Sequence, residues 1–365
     1  MNHSSDSNRQ SAGQTTGPVA KQAETPGTNS EVRIVLDAYG GDNAPHETVA
    51  GAIAAAEKLE HTVLILCGGE EELEQKLDEL GGKPSNVEIV HAPQRIDMHE
   101  GPVRALRRKK KSSIAVGVNR VAEGQADAFV SAGNTGAVVA ASTLGMRMLE
   151  GVQKPGIAIP MRAIDHPVVA IDVGANVHCK PAHLLQYAIM ANVFAVEVLD
   201  MQNPRVGLLN VGEEDGKGTT LTKGAFELLQ DADINFVGNV EGDDVFGGGC
   251  DIVVCDGFAG NVMLKVAESV VMKLVEQFRA GIDENLRRKL GYVLLKDVFE
   301  EIKHCGDYSE YGCAPLLGVD GISLIGHGRS DARAIENAVA EARSFVDLHV
   351  NDKIARAISV HMSAL

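Results

Sequence analysis

Asp256-Gly257-Phe258-Ala259-Gly260-Asn261 follows the apolar run Ile252-Val-Val-Cys255 and precedes apolar residues at Val262, Val266, Val270 and Leu274. An apolar run, a glycine turn and then i+4 spacing read as a buried parallel strand, a tight connection and a helix opening near Asn261. Such a junction leaves backbone N–H groups facing the strand's carboxyl end, where unpaired donors and the helix dipole favour an anion. Gly257, Gly260 and Asn261 are then the residues that would meet a ligand. The same stretch also reads as an ordinary connection whose glycines serve tight turning. Cys255 offers a competing chemistry, covalent attack by a thiol.

The pattern recurs along the chain. Asp37-Ala-Tyr39-Gly40-Gly41-Asp42-Asn43-Ala-Pro45 ends the strand-like run from Val32 to Leu36, and Ser131-Ala-Gly133-Asn134-Thr135-Gly136 ends a second run at Val130. Small residues admit a ligand to the backbone, and Asp37, Asp42, Asn43, Ser131, Asn134 and Thr135 add polar groups. Turn-holding by the same Asp and Asn side chains is the plainer account. Neither loop is GxGxxG, so a dinucleotide fingerprint is missing. Val168 to Val173 leads into Gly174-Ala-Asn176-Val-His178-Cys-Lys180, where His178 and Lys180 could act as acid, base or anion ligands or serve structure alone. Asn210-Val-Gly212-Glu213-Glu214-Asp215-Gly216-Lys217-Gly218 superficially resembles a P-loop. Its glycine spacing is one short and no Ser or Thr follows the lysine directly, which excludes a nucleoside triphosphate site. Lys217 remains a candidate cation for a phosphate. His327, in Gly326-His327-Gly328, could touch substrate or pack a turn.

The elements that must hold these loops are strands alternating with helices, the signature of a parallel sheet with crossover helices. The chain has 365 residues, 44% hydrophobic, with Lys and Arg numbering 34 against 50 Asp and Glu. A formal charge of −16, no Trp and 4% aromatics argue against a nucleic-acid binder. The six cysteines form no CxxC and no zinc spacing, so they read as buried hydrophobes in a reducing compartment and no metal is expected. No apolar run is long enough to span a bilayer, which fits a soluble cytosolic protein. Residues 1–30 are Ser/Gln/Thr/Gly-rich and read as a disordered tail before a domain covering 31–365.

Two stretches depart from that acidic background. Arg104-Ala-Leu-Arg107-Arg108-Lys109-Lys110-Lys111 puts six cations in eight residues, a solvated helix face or a docking patch for an acidic partner or anionic headgroups. Residues 281–305 are amphipathic at helical spacing. Leu286, Leu290, Leu294 and Val298 lie on one side and Arg287, Arg288, Lys289 and Lys296 flank them. That stripe reads as facing the core or a dimer partner, or as lying in an anionic bilayer surface.

Taken in order, Asp37-Ala-Tyr-Gly-Gly-Asp-Asn-Ala-Pro45, Ser131-Ala-Gly-Asn-Thr-Gly136, Asp172-Val-Gly-Ala-Asn176, Gly238-Asn-Val-Glu241, Asp256-Gly-Phe-Ala-Gly-Asn261 and Gly326-His-Gly328 resemble the motifs of the PlsX family of phosphate acyltransferases. The family usually carries Met where this chain has Tyr39. The resemblance runs from about Val32 to the end. It implies a Rossmann-like three-layer α/β/α sandwich with a mostly parallel sheet, akin to phosphotransacetylases and isopropylmalate-type dehydrogenases, working as a homodimer without cofactor. It implies transfer of a fatty acyl group from acyl carrier protein to inorganic phosphate. The acyl phosphate would then feed a membrane glycerol-3-phosphate acyltransferase in phospholipid synthesis. It also implies a cytoplasmic enzyme peripherally associated with the membrane, and a functional pair matching Lys217 and Asn261. The other loop residues, Asp37, Gly40, Gly41, Asp42, Asn43, Ser131, Gly133, Asn134, Thr135, Asn176, Asn210, Gly257, Gly260 and His327, would bind substrate. Arg104, Arg107, Arg108 and Lys109 would bind a partner. Two alternatives stay open: a phosphate acetyl- or butyryltransferase using a coenzyme A thioester, and a non-catalytic scaffold gathering acyl carrier protein at the membrane.

Overall fold

A computed structural model describes residues 31–162, 167–283, 287, 288, 291, 292, 295, 296 and 312–363. The amino-terminal tail and the stripe of Leu286, Leu290, Leu294 and Val298 lie outside the described residues. In chain order the elements are β1 (Val32–Asp37), α1 (His46–Lys58), β2 (Thr62–Gly68), α2 (Glu70–Glu79), β3 (Val87–His91), α3 (Pro102–Arg108), α4 (Ser113–Ala122), β4 (Ala128–Ser131) and α5 (Thr135–Gly145). Then come β5 (Gly156–Arg162), β6 (Pro167–Ile171), α6 (Pro181–Glu197), β7 (Val206–Leu209), α7 (Thr220–Gln230), β8 (Phe236–Val240), α8 (Gly242–Gly247) and β9 (Ile252–Val254). The chain closes with α9 (Gly257–Asp283), β10 (Cys313–Leu317), β11 (Ile322–Gly326), α10 (Ala332–Asp347) and α11 (Val350–Ser363).

The strands join in the order β3-β2-β1-β4-β11-β10-β5-β6-β9-β7-β8. Alternation of side chains sends Ile34, Leu36, Leu64 and Leu66 to one face, where α1, α2 and α10 cover them, with α6, α7 and α11 continuing the same layer over the rest of the sheet. Val35, Ile65 and Phe129 point to the other face, under α3, α4, α5, α8 and the start of α9. The result is three layers with a sheet buried on both sides, as continuous apolar strands require.

Most pairings are parallel, but β11–β10, β10–β5 and β5–β6 are antiparallel. Three reversals in a row turn β6, β9, β7 and β8 opposite in sense to β3, β2, β1, β4 and β11. The loops with chemistry therefore sit on two separate crests rather than along one edge. The first crest carries the loops after β1, β4 and β11, and the second those after β6, β9 and β7. Strand alternation within each run was visible in the sequence. The reversal depends on which distant strands pair, and no local pattern records that.

α9 opens at Gly257, four residues before the position that apolar spacing predicts. The basic run is not one helix face either: α3 stops at Arg108, and Lys109 turns inward to bond the carbonyl of Arg95 at 2.6 Å and the carboxylate of Glu100.

α10 buries Ile335, Ala338, Val339, Ala342 and Phe345 as one helical stripe. On its side, the Glu341 carboxyl receives the Cys313 thiol at 3.2 Å, and burial raises it from 4.5 to about 8. The folded chain then holds a proton that the unfolded chain releases between those two values. Stability from this group is full below about pH 4.5 and is lost as pH rises towards 8. Glu341→Gln, a mimic of the protonated acid, is expected to remove a slope approaching 1.4 kcal/mol per pH unit, at most, from urea unfolding free energies in that window. An unchanged slope would show that Glu341 is ionised in the fold.

Candidate functional site

The second crest is built around a carboxylate that opens the Asp172–Asn176 motif but is not among the expected site residues. Asp172, fully buried at the end of β6, accepts backbone N–H groups from Ile157 at 3.1 Å, Gly174 at 3.0 Å, Ala175 at 2.8 Å and Asn176 at 2.7 Å. Burial pushes its pKa up, and these donors pull it down. The turn it holds receives the first turn of α9 backbone to backbone. A Cβ at Gly260 would stand 2.0 Å from the Asp172 carbonyl oxygen, so only glycine allows this approach. Asp172, an acid two residues ahead of Gly174, had the signature of an Asx turn, which is the signal that would have found it.

The open N–H groups expected at the start of α9 are closed. Asp256 Oδ1 accepts from Phe258 N and Ala259 N, both at 2.9 Å. Gly257 N donates to the carbonyl of Asn176 and Gly260 N to that of Asp256, each at 2.9 Å. Asp256 caps this helix, so its side chain already satisfies the donors that an anion would have met. What remains presented is a side chain. Asn261 is exposed, its carboxamide has no hydrogen-bond partner among the described residues, and it lies beside Gly174.

β7 pairs with β9 in register, Leu208 opposite Val254, so the Lys217 loop and Asn261 leave adjacent strands on one crest. That loop is tied at its base. Asn210 Nδ2 donates to the Lys217 carbonyl at 3.2 Å and to Asn239 Oδ1 at 2.9 Å, and its Oδ1 accepts from Val211 N. The Lys217 ammonium is half-exposed, 3.6 Å from a Glu214 carboxylate that is itself in solvent. An exposed pair of this kind is weak, leaving the lysine free to turn to an anion.

On the first crest, Ser131 Oγ donates to Asp37 Oδ2 at 2.6 Å and accepts from Gly133 N at 3.1 Å. Burial pushes the Asp37 carboxyl up, opposed by Ser113, Ser131 and the Tyr39 N–H. Tyr39 donates its hydroxyl to Glu72 at 2.6 Å and accepts from Gly69 N at 2.9 Å, while the Arg95 guanidinium stacks 4.3 Å from its ring. Gly40 and Gly133 face each other closely, and Gly41 lies near the carbonyl of Gly328. Asn134 caps α5 through Ala137 N and gives its amide hydrogens to the carbonyls of Asp97, Met98 and Glu100. His327 Nδ1 accepts from Arg329 N at 3.2 Å, which leaves the proton of the neutral ring on Nε2. Burial chiefly, then Arg329 and Lys265, hold its pKa below the ordinary histidine value.

α9 joins the two crests. Asn261, Lys265, Glu268 and Met272 recur at helical spacing along one side of it. Lys265 and Glu268 act electrostatically on His327, and Met272 sulfur meets Arg329 at 3.7 Å. Asn261 and Met272 are therefore about 16 Å apart along the axis at 1.5 Å per residue.

The candidate residues thus divide by what already occupies them. Asp37, Ser131, Asn134, Asn176 and Asn210 spend their polar groups inside the loops. Asn176, for instance, donates to the Pro155 carbonyl at 2.6 Å and the Tyr187 hydroxyl at 2.9 Å. Asp42, Asn43, Thr135, Lys217 and Asn261 are exposed at the crests, as are His178 and Lys180. The Cys255 thiol is buried and its pKa is driven well up by burial and by Asp172, so it is a poor nucleophile. Among the described residues no group of three His, Cys, Asp or Glu could hold a metal. The arrangement offers an exposed cation and an amide donor on segments that follow adjacent strands and, among the described residues, no activated nucleophile beside them, which suits attack by an anion that is itself a substrate.

Residues 32–353 match the model of a family described as fatty acid synthesis protein. The chain is 44% identical over 330 residues to the phosphate acyltransferase of Halothermothrix orenii, covering 90% of this chain and 99% of that one. It is also 44% identical over 329 residues to the phosphate acyltransferase of Brevibacillus brevis, covering 90% and 97%. Among solved structures it is similar to a phosphotransacetylase from Streptococcus pyogenes, with TM-score 0.56 and 17% identity over 90% of this chain and 94% of that one. The EutD phosphotransacetylase from Staphylococcus aureus gives 0.52 and 16% over 90% and 95%. At those identities the structures speak for the fold, a Rossmann-like α/β architecture.

Proposed function

The chain belongs to the fatty acid synthesis protein family of phosphate acyltransferases and transfers an acyl group to phosphate; we propose that the donor is a fatty acyl thioester on acyl carrier protein and that Lys217 and Asn261 carry the catalysis. The observation behind this reading is that the Lys217 loop and the start of α9 that bears Asn261 follow adjacent strands onto one crest, both residues exposed, with the backbone donors at the start of α9 already satisfied. Phosphate attacks the thioester carbonyl, and the C–S bond breaks as the C–O bond forms. The products are acyl phosphate and a free thiol, the proton of hydrogen phosphate ending on sulfur. Lys217 holds the phosphate. The Asn261 amide donates to the oxyanion of the tetrahedral state, where a fixed donor acts more strongly than water. No residue of the chain becomes acylated.

Two further features belong to this reading. Phe258, Val262, Val266, Val270 and Leu274 form an exposed apolar stripe along α9, from 46% to 65% exposed, which supports a homodimer covering it. Among the described residues no helix is long and apolar enough to cross a membrane. Handing acyl phosphate to a membrane glycerol-3-phosphate acyltransferase therefore calls for contact at an anionic membrane surface. Purified protein is tested with phosphate and either palmitoyl–acyl carrier protein or palmitoyl–coenzyme A, trapping acyl phosphate as the hydroxamate. Phosphate-dependent hydroxamate formed preferentially from the carrier is expected. Efficient use of coenzyme A thioesters alone would sink the carrier assignment.

A further inference from the structure

Helix α3 carries Arg104, Arg107 and Arg108, and Lys110 and Lys111 follow it; all five are exposed and, among the described residues, none is in an ion pair. The chain bearing them has a formal charge of −16. An unpaired cationic cluster on an acidic protein is a local reversal of field, and it attracts what the rest of the surface repels. The cluster is also anchored at the first crest. Asn134, which caps α5 there, holds the carbonyls of Asp97, Met98 and Glu100 at 3.1, 3.0 and 3.1 Å, the loop that leads into α3. Pro102, at the start of α3, lies against Gly136. Lys109, tied to the Arg95 carbonyl and to Glu100, closes the other end of the helix. Beside the cations, Met98 is 42% exposed and Val103 49% exposed, so the face combines charge with apolar contact.

We propose that α3 and the lysines after it form the docking face for the acidic protein that brings the acyl thioester, its tethered arm entering at the rim of the first crest, from which α9 leads to Asn261 on the second. This rests on the carrier reading above. A bilayer fits the face less well. α3 has seven residues, its buried Ala105 faces the core, and so short a helix offers no apolar stripe to lie in an interface. Nucleic acid fits less well still, because the net charge of −16 would oppose it.

The test compares wild type with Arg104→Glu/Arg107→Glu/Arg108→Glu and, separately, Lys110→Glu/Lys111→Glu, using palmitoyl–acyl carrier protein and palmitoyl–coenzyme A as donors. The arginine variant is expected to raise KM for the carrier-borne donor at least about tenfold, and about tenfold more than for the coenzyme A donor. Raising salt from about 0.05 to 0.3 M should weaken carrier use by wild type and change the variant little. The lysine variant should shift in the same direction by a smaller factor. Equal losses on both donors, or an unchanged KM for the carrier donor, overturn the proposal. So does loss of binding to phosphatidylglycerol vesicles with carrier KM intact, which would assign the face to lipid. Failure of the parent reading looks different: wild type itself then uses the coenzyme A donor and ignores the carrier.

Discussion

Asn261→Ala is expected to lower kcat about 100-fold or more while leaving the melting temperature nearly unchanged. The magnitude follows from the loss of one fixed donor to a developing oxyanion, worth about 3–4 kcal/mol. The small effect on stability follows from the structure. The carboxamide is exposed and makes no hydrogen bond to any described residue, so alanine leaves nothing stranded behind it. Helix α9 also keeps its cap, because Asp256 and not Asn261 satisfies Phe258 N and Ala259 N. Asn261→Asp is the sharper variant, since it keeps the shape and places an anion where negative charge develops. It should be at least as impaired as the alanine variant. The hydroxamate assay at saturating phosphate and donor measures both. Turnover within about threefold of wild type in Asn261→Ala would remove this residue from the mechanism and leave Lys217 with no partner on its crest.

Asp172→Ala is expected to cost about 3–5 kcal/mol of stability, which is the range for breaking up a buried charge and its partners. Four backbone N–H groups converge on that carboxylate, and alanine would leave them without that acceptor, the Ile157 N–H in a buried position. The damage passes to function through a stated contact. The turn from Asp172 to Asn176 is the surface on which Gly257 and Gly260 seat the first turn of α9, and Gly174 flanks Asn261. Asp172→Asn separates the two effects. It preserves volume and one carbonyl acceptor but turns an NH2 group towards an N–H donor, so it should lose less stability and still misplace Asn261. Urea unfolding gives the first quantity as a shift of midpoint at constant m, and kcat gives the second. A fully stable Asp172→Ala would mean that the turn holds itself without the carboxylate, and the account of how Asn261 is positioned would fall.

The contrast between these two residues shows how far a chain can be read before it folds. The loops at Asp37–Pro45, Ser131–Gly136, Asp172–Asn176, Asn210–Gly218 and Asp256–Asn261 were legible, because a glycine and an acid after an apolar run are local signals of a strand ending in a turn. A parallel sheet with crossover helices was legible for the same reason, while the three-layer architecture was implied by the resemblance of the motifs to a known family. Which polar residues remain available to a ligand was not. Asn134 and Asn261 both sit at a glycine turn near the start of a helix, yet one is surrounded by the carbonyls of Asp97, Met98 and Glu100 and the other faces solvent. Those carbonyls are more than thirty residues away in sequence, so composition and spacing near Asn134 carry no trace of them.

Spacing alone also left the start of α9 and the state of its N–H groups wrong, because an Asp that caps a helix and an Asp that precedes an open anion site are the same letters. The strand reversal through β10 and β5 has the same origin. Periodicity states which face of a strand is buried and says nothing of which way its neighbour runs. From sequence alone came the kind of chemistry this protein performs and the loops proposed to perform it, since both are written in short stretches of chain. Tertiary structure alone decided that Lys217 and Asn261 share a crest, that α9 spans to the other one, and that most neighbouring polar groups are already spent. Each of those facts depends on contacts between segments that meet only when the core is buried.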